Sequence, residues 1–110
     1  MLFRSQATDS TITTRITSPA SGAVMRPGFP IIGTARFDTT QAQYYKVEIS
    51  GGQFGDVWVT IGDVHTGSAS NTELEFLNAV QPGSYMLRLV VIGIDNSIVS
   101  STGVSFKVGG

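Results

Sequence analysis

Few residues of this 110-residue chain are of a type that does chemistry. His65 is the only histidine. A general base or a metal ligand needs converging partners, and the chain has no second imidazole, no thiol and no Ser-His-Asp order to supply them, so His65 is expected in a loop. Asp38, Asp56, Asp63 and Asp95 all fall in turn-like stretches. Four loop carboxylates suggest calcium, which takes about six to eight oxygens, yet no DxDxDG run exists and the expected role is turn formation through side-chain to backbone bonds. The run Gly51-Gly52-Gln53-Phe54-Gly55 is Gly-rich but lies between strands and opens no helix, which excludes a phosphate cradle. Trp58 with Tyr44 and Tyr45 would make a sugar platform if all three were exposed and aligned. Alternation instead turns Tyr45 inward. No catalytic residue, no metal ligand and no cofactor is expected.

Composition narrows the classes further. Charged residues are 14% of the chain, against roughly 25% in an average soluble domain. With a net charge of -1, there is no basic footprint for nucleic acid. The absence of cysteine excludes a disulfide framework and thiolate zinc sites. No apolar run approaches the ~18 residues of a membrane span, and MLFRSQATDS lacks the long apolar core of an export signal. The length suits one domain with one core.

The elements that position these residues are strands. The stretch from Leu74 to Ile94 is central: Pro82-Gly83 marks a turn, and behind it Tyr85, Leu87, Leu89 and Val91 alternate with period two. A tyrosine just after such a corner, ring in the core and hydroxyl returned to backbone, is the tyrosine corner of immunoglobulin-like sandwiches. Pro82, Gly83 and Tyr85 form this corner. Six further strands are expected, over residues 11–17, 29–37, 43–50, 57–62, 72–77 and 98–108. The last carries a bulge or sheet switch at 100–103, and Asp95-Asn96-Ser97 makes the hairpin before it. Residues 63–71 read as loop and residues 1–10 as a tail. The expected core is Ile31, Phe37, Val47, Leu74, Phe76, Tyr85, Leu87, Leu89, Val104 and Phe106, with Tyr85 or Trp58 packed over the small residues Gly33 and Ala35. No helical periodicity appears, so seven short strands predict an all-β antiparallel sandwich over residues 11–110.

Several segments in this order, ITSPASGAVMRPGFPIIGTARF, YYKVEISGG, VWVTIG and VQPGSYMLRLVVIGIDNSIV, resemble the bacterial Ig-like, fibronectin III-like modules of cell-surface proteins and of the C-terminal ends of penicillin-binding transglycosylases. The resemblance covers residues 16–108. Pro82-Gly83 stands where the family has Asp-Gly, and LEFL stands where it has a strand tryptophan. The resemblance implies a seven-stranded Ig-like sandwich, a non-catalytic structural or adhesion role, and a location outside the cell or in its envelope.

One stripe departs from a simple wet face. Met86, Arg88, Val90 and Ile92 alternate outward from the Tyr85 strand, and three of the four are apolar. Neighbouring side chains could shield them, or another subunit could. The tail adds Leu2 and Phe3, and the strand after it adds Ile12 and Ile16. Together Leu2, Phe3, Ile12, Ile16, Met86, Val90 and Ile92 make a candidate subunit interface, for a self-assembling filament or layer in which the N-terminal segment adds to a neighbour's sheet. The partners expected are neighbouring domains or further copies, with no nucleic acid and no membrane insertion. A carbohydrate- or peptidoglycan-associated accessory domain is the third reading.

Overall fold

The computed structural model describes residues 12–109. The tail over residues 1–10, with Leu2 and Phe3, and the start of the first expected strand lie outside the described residues. Eight strands follow: β1 (Thr13–Ser18), β2 (Val24–Met25), β3 (Phe29–Arg36), β4 (Ala42–Gly51), β5 (Val59–His65), β6 (Ala69–Leu77), β7 (Gly83–Gly93) and β8 (Ile98–Val108), with one 3-10 turn over Gly52–Phe54. They form a three-stranded sheet in the order β1-β3-β6 and a five-stranded sheet in the order β2-β8-β7-β4-β5. The chain is therefore all-β and two-layered, as the alternation predicts. The eighth strand is β2, which lies between the first two expected strands. It is two residues long, too short to show a period, and it pairs parallel to β8 where the other ladders are antiparallel.

The core lies between the sheets. Tyr85, Leu87, Leu89 and Val91 of β7 meet Val47 and Ile49 of β4, Ile31 and Ala35 of β3, Leu74 and Leu77 of β6, and Phe106 of β8, all buried. Full burial of each such aliphatic side chain is worth about 1.5–3 kcal/mol. Tyr85 stacks on Phe106 at 5.8 Å between ring centroids, and Phe29 meets Phe106 edge-on at 5.6 Å. Val104, expected inside, is half-buried against this cluster.

Four expectations about local structure are corrected. Phe76 is 45% exposed. An extra residue in β6 at Leu74, between the pairs Ile31↔Glu75 and Ile32↔Glu73, shifts the register. This bulge turns both Leu74 and Leu77 inward and sends Phe76 out beside Pro30 and Gly28. Residues 63–71 are mostly strand rather than loop, since β5 runs on to His65 and β6 begins at Ala69. Gly62 at φ 68 sits in the irregular stretch between the pairs Tyr45↔His65 and Val47↔Ile61; the sequence signature of a turn is here the signature of a bulge. In β8 the register shift falls at Val99, between the pairs Val91↔Ser100 and Ile92↔Ile98, and residues 100–103 pair without a break. The close approach over Gly33 comes from the Arg15 carbonyl and the Leu74 side chain, not from Tyr85 or Trp58.

Candidate functional site

Antiparallel register across the five-stranded sheet decides which side chains meet on its outer face. Tyr44 pairs with Ile92, Lys46 with Val90, Glu48 with Arg88 and Ser50 with Met86. On the far side of β7, Ser101 pairs with Val90, Gly103 with Arg88 and Ser105 with Met86. Val90 and Ile92 are buried although they face outward. Their cross-strand partners Lys46 and Tyr44 are long enough to lie over them, as amphipathic side chains do. The apolar stripe expected on this face is thus covered within the chain, and Ile16 is also buried. Of the described interface candidates, Met86 is exposed and Ile12 half-buried.

The middle row carries the polar chemistry. Glu48 is 6% exposed. Its carboxylate accepts from Arg88 Nε at 2.6 Å and faces Lys46 Nζ at 3.2 Å. The Arg88 guanidinium lies 4.3 Å from the centre of the Trp58 ring. Trp58 comes just before β5, on the return from the 3-10 turn, and packs onto this face half-buried. A buried carboxylate is tolerable because two cations hold it, and Arg88 divides its charge between the carboxylate and a π-face. This arrangement organises charge but aims no nucleophile or base at open space. It also separates the three aromatics of the sugar platform: Tyr45 is in the core, Tyr44 lies on the outer face, and Trp58 gives one ring face to Arg88. On either side of Met86 lie two depressions, one of about 350 Å³ over Ser50, Ser84 and Lys107 and one of about 370 Å³ over Gly103, Arg88 and Trp58.

His65 is a strand residue at the seam between the sheets. The bulge at Leu74 that turns Phe76 outward also aims Glu75 at β5. There its carboxylate meets His65 Nε2 and accepts from the Asp63 backbone N–H at 3.3 Å. The imidazole stacks on the Tyr45 ring, 4.7 Å between centroids. Burial, and secondarily the Glu75 charge, push the Tyr45 phenol above its usual range. A side chain at Gly62 would displace the Glu75 carboxylate, and its φ of 68 favours glycine. Among the described residues no group of three or more His, Asp or Glu side chains converges as a metal site would.

The corner has the expected geometry with one refinement, whereas of the four carboxylates expected in turns Asp38 and Asp95 bond their own turns and Asp63 lies in β5. The Tyr85 ring is 2% exposed, and its hydroxyl donates to the Gln81 carbonyl at 2.6 Å. The Gln53 side-chain oxygen accepts from the Gln81 backbone N–H at 2.8 Å, so the 3-10 turn and the corner are tied together. Gly52 lies against the Tyr85 ring. Gly83 is not at positive φ; it opens β7 opposite Val108. Asp38 accepts from the Thr40 N–H and Asp95 from the N–H and hydroxyl of Ser97. These bonds hold both carboxyls below the usual carboxylate range. The Glu48–Arg88–Trp58 stack and the Glu75–His65 pair were not foreseen from sequence. Alternation does put Glu48 and Arg88 on outward faces, but the register that makes them opposite is a tertiary fact.

No family model matches the chain, and no curated protein matches it. Among solved structures it is similar to a crystal structure of an engineered protein, at 16% identity over 91% of this chain with a TM-score of 0.47. The chain spans only 20% of that protein's length.

Proposed function

We propose that the chain is an Ig-like, fibronectin III-like module of a bacterial cell envelope, acting as a non-catalytic structural or adhesion unit. One observation carries the reading: among the described residues, four carboxylates and the single histidine are spent on the framework. Glu48 is held by Arg88 and Lys46, Glu75 by His65 and the Asp63 N–H, and Asp38 and Asp95 by their own turns. The tyrosine corner at the start of β7 and the split of the strands into β1-β3-β6 and β8-β7-β4-β5 support the Ig-like assignment. The test is fractionation of the source cell with an antibody to this domain. Recovery with the envelope or the medium is expected, and confinement to the cytosolic fraction would overturn the assignment.

A second reading, a subunit of an extracellular filament or layer, is favoured by a different observation. Ile94, Ile98 and Val99 are exposed together around the β7–β8 hairpin. The Thr14 hydroxyl meets the Ser100 hydroxyl at 3.0 Å, so the described chain begins level with that hairpin. The described chain thus begins beside an apolar surface, and Leu2 and Phe3 precede it in sequence. Deleting residues 1–9 and comparing the size of the two forms in solution tests it; assembly unaffected by the deletion refutes it. The carbohydrate reading has the least support, because Trp58 shares its ring face with Arg88.

A further inference from the structure

The outer edge of β8 is covered over only part of its length. The Gly22 N–H donates to the Ser105 carbonyl at 2.7 Å, the Lys107 N–H to the Ala23 carbonyl at 2.8 Å, and the Gly109 N–H to the Met25 carbonyl at 2.9 Å. Odd-numbered residues of β8 therefore aim their main-chain groups away from β7. By the same alternation Ser101 and Gly103 aim theirs outward too, and among the described residues no strand pairs with them there. β1 passes nearby but ladders with β3 in the other sheet.

Sheet edges are normally guarded by charge, proline or bulges. The edge of β5 has the irregularity around Gly62 together with Asp63 and His65, that of β6 has Glu73, Glu75 and two register shifts, and that of β1 has Arg15 and a shift after Ile16. β8 has no charged residue and no proline from Ile98 to Phe106, its one register shift lies at Val99, at the hairpin end, and its ladder to β7 is regular from Ser100 to Val108. Like charges placed directly opposite destabilise a strand pair, so this is the edge that accepts a copy of itself.

We propose that β8 pairs antiparallel with β8 of a second copy about a twofold axis at Ser101, joining two five-stranded sheets into one. The pairing is self-complementary, as a twofold contact must be. Ser101 faces Ser101 of the other copy, and the two exchange N–H and carbonyl bonds. The exposed Val99 of each copy faces Gly103, a residue without a side chain, at the floor of the depression beside Arg88 and Trp58. The pairing needs neither the N-terminal segment nor an envelope location, so it stands or falls apart from the readings above.

The chain contains no cysteine, so one introduced thiol reports one contact. Opposed residues of a hydrogen-bonded antiparallel pair sit about 5.5 Å apart at Cα, within the span that a disulfide bridges. In mild oxidant Ser101→Cys is expected to form a covalent dimer faster than Thr72→Cys, an exposed position on β6. The unmodified protein is expected to shift from the 11.7 kDa monomer toward twice that mass as concentration rises. Ser101→Lys, at an exposed position, should abolish that shift with the melting temperature unchanged at a concentration where both proteins are monomers, and Ser101→Thr should retain it. A monomer at every concentration, equal cross-linking of the two cysteine variants, or a dimer that survives Ser101→Lys would each overturn the proposal.

Discussion

Replacing Tyr85 by Phe isolates one bond. The ring stays, with its stack on Phe106 and its edge contact to Phe54 at 6.1 Å. What is lost is the 2.6 Å donation to Gln81, together with a long 3.5 Å contact from the Gln53 N–H. A net protein hydrogen bond is worth about 0.5–1.5 kcal/mol, while a buried unsatisfied partner costs roughly 1–3 kcal/mol. Gln81 is exposed, so its freed carbonyl turns to water and the second cost does not arise. The expected loss is therefore about 1 kcal/mol. For a domain near this size that lowers the melting temperature by about 4–8 °C. Calorimetry and urea melts on both proteins measure it, and an unchanged m-value would confirm that neither end state has been remodelled. A melting curve that does not move would refute the corner as a stabilising device. A loss above roughly 3 kcal/mol, the scale of a deleted core side chain, would mean that the ring itself had moved and that the bond had been misread.

Three further outcomes are expected. Gly52→Ala should cost more than Tyr85→Phe, because it adds left-handed strain of about 1–3 kcal/mol to an overlap with the Tyr85 ring; the loss should persist when Tyr85 is Phe, since the overlap is with the ring. Arg88→Ala leaves the Glu48 carboxylate, 8% exposed, with Lys46 as its remaining cation. It should cost about 1.5–3 kcal/mol, the worth of a bond to a charged group, and change the emission of the single tryptophan that Arg88 covers. The Tyr45 phenol is raised above 10.0 in the folded chain. Its contribution to stability is therefore complete below pH 10 and is lost as pH rises through the folded value; Tyr45→Phe should lessen the decline of a urea midpoint measured across that alkaline window.

What could be read in advance follows from what period two encodes. Alternation identified the inward residues of β3, β4 and β7 because those strands run several residues without a bulge on the relevant face. It failed at Phe76, since the extra residue at Leu74 inverts the parity of everything after it in β6. It failed again at β5, where Gly62-Asp63 resembles a turn although the strand continues to His65. Turn chemistry was legible because it is local: Asp38 with Thr40, Asp95 with Ser97, and Asn96 at φ 69 need no distant partner. The Glu48–Arg88 pair spans forty positions of sequence and depends on β4 and β7 being neighbours in one register, which no window of residues contains. Whether Val90 and Ile92 are covered likewise turns on their pairing with Lys46 and Tyr44.

The parallel pairing of β2 with β8 has a mechanical consequence. The Gly22–Ser105, Ala23–Lys107 and Met25–Gly109 backbone bonds lie between two segments that run in the same direction. A pull on the chain before residue 12 and after residue 109 draws those segments past each other along their length. The bonds then bear load together, in shear, instead of opening one at a time like a zipper. β1, which precedes β2, takes the N-terminal load first through its ladder to β3, in the other sheet. Stretching single molecules from both ends should give a rupture force higher than pulling across the five-stranded sheet through attachment points on β5 and β8, and equal forces in the two geometries would exclude the clamp. A domain strung along a tethered chain would then resist tension most strongly in the direction in which a tether applies it.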